Sequence, residues 1–288
     1  MIPSFFGNSK STKFKPSEKV KEIVEDSKYD YDDFKPKFGW DPKNPPRPIW
    51  KAFNVVRNED NINDKGWIVG DDTDDYIRGT DDNDTIHGSH GSDLIYGGDG
   101  DDVLYGDSQT YRSTEGRDTI YGGNGDDEIR ADVAYGQEGD DDLRAPHSGG
   151  AYLNGGNGDD DLKGRSDEDT LIGGAGNDTL EGAMGKDTMT GGRGVDTFVV
   201  GHQNDLRTGE ISSDLITDFR DVGDKIKFEL VAWGRLAFEE LDFEFSRAGS
   251  LVVSHESDVL AEIRGLNPNV GLYDQIQNIG VGTIELIA

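Results

Sequence analysis

GDDTDDYIR (70–78), GTDDNDTIH (79–87), GSHGSDLIY (88–96) and GGDGDDVLY (97–105) run head to tail, and each is the same nine-residue unit. The unit returns as GGNGDDEIR (122–130), GQEGDDDLR (136–144) and GGNGDDDLK (155–163). It then repeats without a break as GRSDEDTLI (164–172), GGAGNDTLE (173–181), GAMGKDTMT (182–190) and GGRGVDTFV (191–199). A short fixed period means a solenoid laid down one coil at a time. Glycines at places one, two and four permit positive φ and a tight backbone path. Place eight is apolar throughout, from Ile77 and Ile86 to Met189 and Phe198. A strand of about three residues with one inward side chain cannot stand alone, but stacked strands join those side chains into a continuous ladder.

Stacked strands also stack the turns. Place six is aspartate in every unit: Asp75, Asp84, Asp93, Asp102, Asp127, Asp141, Asp160, Asp169, Asp178, Asp187 and Asp196. Left alone, such rows of carboxylates repel. A hard divalent cation removes the repulsion and takes oxygen ligands from the aspartates and from turn carbonyls. Calcium, with its six to eight oxygen ligands and tolerant geometry, fits better than magnesium, which keeps its waters. The chain has no cysteine, so thiolate metals are not implied.

The units match the pattern GGxGxDxUx, and over roughly residues 61–288 the chain resembles the RTX (repeats-in-toxin) calcium-binding proteins. The resemblance implies an all-β fold. Its core is a right-handed parallel β-roll over 61–199, flanked by a short irregular N-terminal segment (1–60) and a β-rich C-terminal cap (200–288). In the family each calcium sits between one turn and the turn two units later. This pairs Asp75 with Asp93, Asp84 with Asp102, Asp160 with Asp178, Asp169 with Asp187, and Asp178 with Asp196. Carbonyls of the glycine-rich turns complete the shell, at Gly88, Gly97, Gly100, Gly122, Gly125, Gly155, Gly158, Gly173, Gly176, Gly191 and Gly194. Roughly five to ten calcium ions are expected on this basis.

The period breaks twice. DSQTYRSTE (107–115) intervenes before the unit resumes as GRDTIY (116–121), which supplies Asp118. ADVAY (131–135) reads as a truncated unit, and APHSGGAYLN (145–154) runs one residue over without an aspartate. Ile68 keeps the phase ahead of the first unit, with Gly66 in the aspartate place. After Val200 the repeat stops.

The formal net charge is -30, and residues 1–60 are slightly basic, so the acidity lies in the repeats and behind them. This excludes nucleic acid as a partner. With 33% apolar residues, the repeat region is expected to be expanded until cations bind, so that binding energy is folding energy. No stretch reaches the ~20 apolar residues of a membrane span. The N-terminus lacks an apolar signal core. That agrees with the family's route out of the cell, the type I secretion apparatus, which reads an uncleaved C-terminal signal. Residues 17–27 have the spacing of a short amphipathic helix capped by Ser17, and 41–50 are proline-rich.

No enzyme motif emerges. The five histidines form no HExxH, and there is no GxSxG elbow or phosphate loop. His87 and His90, three apart, give only a weak case for a transition metal. In enzymes of the family, catalysis sits in a separate upstream domain, for which sixty residues are too few. A non-enzymatic, secreted calcium-binding protein with a structural, surface-layer, matrix or adhesive role is the leading expectation. Self-assembly or a cell-surface glycan would then be the partner. A membrane-active, pore-forming effector is one alternative. A polysaccharide-binding accessory module is the other, with Arg112, Arg117, Arg130 and Arg144 near the irregular coils as its basic residues.

Overall fold

Inward apolar residues one coil apart dictate the architecture. The computed structural model describes residues 54–57, 67–107, 116–146, 149–200, 213–219, 223–229, 241–246, 250–255, 258–264, 276–278 and 283–287. The helix expected at 17–27, the proline-rich stretch and Gly66 lie outside these residues. So does most of the insertion after Gly106, including Arg112. No helix occurs among the described residues, and a parallel β-solenoid of about seven turns spans 68–199.

Successive strands go alternately to two sheets. The first sheet takes, in spatial order, Asn54–Arg57, Asp75–Arg78, Leu94–Asp99, Thr119–Asn124, Val133–Glu138, Tyr152–Asn157, Thr170–Ala175 and Thr188–Arg193. The second takes Ile68–Val69, Thr85–Ser89, Val103–Asp107, Glu128–Arg130, Asp142–Arg144, Asp161–Lys163, Thr179–Glu181 and Thr197–Val200. Side chains alternate across each strand, so place eight points inward while places seven and nine point outward.

Register places like on like. Ile77, Ile95, Ile120, Ala134, Leu153, Leu171 and Met189 align in the first sheet. Ile86, Leu104, Ile129, Leu143, Leu162, Leu180 and Phe198 align in the second. All of these are fully buried. Each large aliphatic contributes about 1.5–3 kcal/mol by leaving water, which is what holds such short strands together.

Both irregular stretches keep this register. Leu94 still faces Thr119 across the insertion, and Val133 still faces Tyr152 across the overlong unit. The stacking also runs past Val200, beyond the point where the nonapeptide ends. Asp214–Ile216 joins the first sheet and Lys225–Glu229 the second, both in parallel. Only then does the pairing turn antiparallel. Thr283–Ile287 and Ile276–Asn278 close the second sheet. In the first, Asp258–Ile263 is still parallel to Asp214–Ile216, and Leu251–His255 and Leu241–Phe245 follow antiparallel.

Two candidate calcium ladders along the turns

Every place-six aspartate sits where a turn enters a strand, so alternate coils send their aspartates to two separate rows. The first row, leading into the first sheet, runs Asp75, Asp93, Asp118, Asp132. The peptide N–H of each donates to the carboxylate of the next coil, at 2.8, 2.9 and 3.0 Å. The row resumes as Asp169, Asp187, Asp214. The second row runs unbroken as Asp84, Asp102, Asp127, Asp141, Asp160, Asp178, Asp196, Asp224, with the same bond at 2.8–3.1 Å. Every pairing expected by resemblance falls between row neighbours. Asp118, Asp127 and Asp141, in the irregular region, take their places in line.

Three members escape the nonapeptide reading. Asp132 comes from the truncated unit, and Asp214 and Asp224 follow the last repeat. All are buried, at 8%, 1% and 2% exposure. Their spacings from the preceding row members are 14, 27 and 28 residues, so Asp132 and Asp224 are out of the nine-residue phase, and Asp214 keeps the phase but stands where the glycine pattern has stopped. A buried aspartate just ahead of an apolar strand is the signal that would have found them.

The outer carboxylate oxygen, Oδ2, divides the units into two kinds. In GDDTDDYIR, GTDDNDTIH and GRSDEDTLI the place-two N–H closes onto it. Asp71 N donates to Asp75, Thr80 N to Asp84, and Arg165 N to Asp169, at 2.6–3.0 Å. In eight other units place two has positive φ, and its N–H turns away. Six of these are Ser89, Gly98, Gly123, Gln137, Gly156 and Gly174, and the other two are Ala183 and Gly192 near the end of the repeat. In the first six the Oδ2 atoms of Asp93, Asp102, Asp127, Asp141, Asp160 and Asp178 are buried and accept no hydrogen bond from a described residue. A buried carboxylate oxygen with no donor is costly, and a cation relieves it. No three acidic or histidine side chains converge among the described residues, so a cation here needs turn carbonyls as well as two carboxylates.

Burial is the leading cause that raises these carboxyls above their ordinary value of 3.8, with neighbouring aspartates adding to it. Asp118 and Asp141 reach about 8, and Asp93, Asp127, Asp160 and Asp196 about 7. Asp102, Asp169 and Asp178 reach about 6. The backbone N–H bonds pull in the opposite direction and lose.

Place-one glycine is required by clearance and not by φ, which is positive at places two and four but not at place one. A Cβ on Gly97 would collide with the Asp102 carboxylate and lie 2.6 Å from the Gly122 carbonyl. The first row has one gap, in a unit without a place-one glycine. Where it needs an aspartate it has Ala151, whose N–H still donates to Asp169 at 2.6 Å. The place-one residue of that same unit is Ala145, which aligns with Gly164 in the next coil. Ala145 thus puts a methyl at place one, where the regular units have glycine, although the shortened unit at Ala131 keeps Asp132 in the row. The double variant A145G/A151D is therefore expected to bind one calcium more than the native chain, by native mass spectrometry, and A151D alone no more. Strain tells at Gln137, whose φ of 89° suits glycine only. Gln137→Gly should stabilise the loaded chain by about 1 kcal/mol in urea denaturation.

The histidines stand apart. His87 stacks outward between Trp67 and Tyr105, at 4.8 and 4.9 Å, and His90 contacts Asp72 at 2.9 Å.

The family model for the RTX calcium-binding nonapeptide repeat matches four times, at residues 69–104, 105–132, 152–171 and 163–198. The chain thus carries RTX repeats, and its solenoid is an RTX β-roll that binds calcium at multiple sites. Domains of this kind are generally non-catalytic. A comparison with curated proteins finds no match. Among solved structures the chain is similar to the crystal structure of the extracellular lipase LipA from Serratia marcescens. The identity is 17%, over 73% of this chain and 42% of that one, with a TM-score of 0.20. The chain thus spans about two fifths of the lipase's length.

Proposed function

We propose that this is a secreted protein whose β-roll folds on meeting extracellular calcium and then serves as a structural or adhesive element, without catalysis. In this reading residues 61–199 are the roll, 200–288 its cap, and 1–60 a separate N-terminal segment. The twelve motif aspartates are the candidate carboxylate ligands, with Asp132, Asp214 and Asp224 added. The glycine-rich turns supply carbonyls.

The observation that carries the reading is the set of six buried Oδ2 atoms with no donor, one at every GxxG turn of the second row from Asp102 to Asp178 and at Asp93. Affinities of about 10⁻⁴–10⁻³ M would suit an extracellular module and leave the chain unloaded in a calcium-poor cytosol. The buried acids already have a role in the rows, which removes the main reason to assign them acid–base catalysis. No helix among the described residues is long and apolar enough to cross a membrane.

Calorimetry with calcium and with magnesium tests the reading. Uptake of about six calcium ions, coupled to a gain of β signal in circular dichroism, is expected, with magnesium far weaker. Equal response to both ions, or no uptake at millimolar calcium, would refute it.

A further inference from the structure

The two faces of the solenoid differ in charge. On the second sheet the outward residues include Glu128, Arg130, Asp142, Arg144, Asp161 and Lys163, and ion pairs such as Arg144–Asp142 and Lys163–Glu181 run across it. On the first sheet, the outward positions at places seven and nine from Leu94 to Thr190 are tyrosine, threonine, leucine, valine, isoleucine and asparagine only. At the chain's charged fraction of 31%, that many positions would ordinarily carry several charges.

Along this face runs an aromatic file, Tyr76–Tyr96–Tyr121–Tyr135–Tyr152, whose first ring lies one strand before the uncharged stretch, on the strand where Arg78 aligns with Tyr96. Its successive ring centroids are 5.8, 4.9, 4.8 and 5.7 Å apart, and the three middle rings are parallel within 7°. The rings are half-buried. None of the five hydroxyls bonds a described residue, whereas Tyr105 on the other sheet gives its hydroxyl to Glu128 at 2.9 Å. Burial pushes the Tyr96 hydroxyl up to about 12, so it stays a proton donor.

Area, charge and shape choose the occupant. Six strands about 4.8 Å apart, each presenting about 10 Å of length, make a strip of about 300 Å². A stable protein partner needs about 800 Å² per side, so a second copy is poorly served. The net charge of -30 turns away polyanions, nucleic acids and acidic polysaccharides alike. A narrow, flat, uncharged strip with a row of unused hydroxyls beside apolar ring edges suits one extended sugar chain. Its hydroxyls would meet the phenols and its C–H faces the rings.

We propose that the outward face of the first sheet, centred on Tyr96, Tyr121 and Tyr135, binds a linear uncharged polysaccharide laid along the solenoid axis. This deepens the adhesive reading above and rests on it only in requiring the calcium-folded roll.

The test uses the full calcium-loaded chain in co-sedimentation with microcrystalline cellulose, chitin and curdlan, with alginate as the anionic control. Two variants alter the face differently. Y121A/Y135A removes rings, and Val133→Glu adds a charge while keeping every ring. Arg144→Ala marks the opposite face. Retention on at least one neutral glycan, weakened tenfold or more in both face variants and unchanged in Arg144→Ala, is expected. Retention that survives both variants overturns the proposal, as does alginate binding lost in Arg144→Ala. A dimer in sedimentation velocity that both variants abolish also overturns it and gives the face to a second copy. Circular dichroism with and without calcium on the same samples reports folding separately. A normal calcium response with no glycan retention overturns this proposal and leaves the calcium reading standing.

Discussion

Chelation near neutral pH is expected to melt the solenoid, and millimolar calcium to restore it. A site with a dissociation constant of about 10⁻⁴ M contributes about 1.4 kcal/mol at about 1 mM free calcium. Six such sites contribute about 8 kcal/mol, the scale of an ordinary domain's whole stability of about 5–15 kcal/mol. The metal-free fold must instead carry rows of buried carboxylates. The raised acidities set its pH dependence. These aspartates ionise near 3.8 in the unfolded chain but near 6 to 8 in the fold. Between those limits the metal-free folded state holds more protons than the unfolded one, so its stability falls as pH rises from about 4 to about 8. With calcium present the direction reverses, because acid displaces the metal and binding at mildly acid pH releases protons. Circular dichroism across this range, with chelator and with calcium, should give two curves of opposite slope. A metal-free chain that gained β structure on going from mildly acid to mildly alkaline pH would contradict the account.

Asp178→Ala should cost far more than Asp75→Ala. Asp178 accepts the Asp160 N–H at 3.0 Å, passes its own N–H to Asp196, and carries a buried Oδ2 with no donor. Its loss removes a ligand and orphans a buried N–H, about 3 kcal/mol in all at millimolar calcium. Asp75 stands at the start of its row; its Oδ2 is already held by Asp71 N at 2.8 Å, and its buried Oδ1 accepts from no described residue, so on that side its loss leaves no partner N–H orphaned among them. Its loss should cost about 1 kcal/mol. Urea denaturation in millimolar calcium, with the calcium midpoint of folding alongside, measures both. Equal losses would mean that the turn-closed units load as readily as the open ones.

Ile77 aligns with Ile95, and Leu153 with Leu171 and Met189, because period nine is simple arithmetic, and this much of the roll is legible from residues alone. The aspartate rows are equally legible wherever the period holds. Asp132 and Asp224 are not, because a row is defined by stacking and tolerates turns of any length between strands, and Asp214, though in phase, has no glycine-rich turn ahead of it. The division of units into open and closed carboxylates is half legible. Gly98, Gly123, Gly156 and Gly174 announce positive φ at place two, whereas Ser89 and Gln137 reach it against their steric preference. The role of place-one glycine is legible only in three dimensions, since it depends on the Asp102 carboxylate and the Gly122 carbonyl closing on Gly97 from different coils. The uncharged face needed both sheets in view, because places seven and nine alternate between them unit by unit.

Ala151 has a consequence for how the molecule comes apart. In a one-dimensional stack each coil is coupled only to its neighbours, so cooperativity is as strong as the weakest coupling along the line. At Ala151 one of the two carboxylate rows lacks its link to the preceding coil, while strand pairing and the Asp141–Asp160 link of the other row remain. The solenoid then has a seam at which strand pairing and one carboxylate row continue but the other row is interrupted. Under falling calcium that seam is where a domain wall costs least. Amide hydrogen exchange should divide there, with the coils before Asp132 and those after Asp169 opening at separate calcium concentrations.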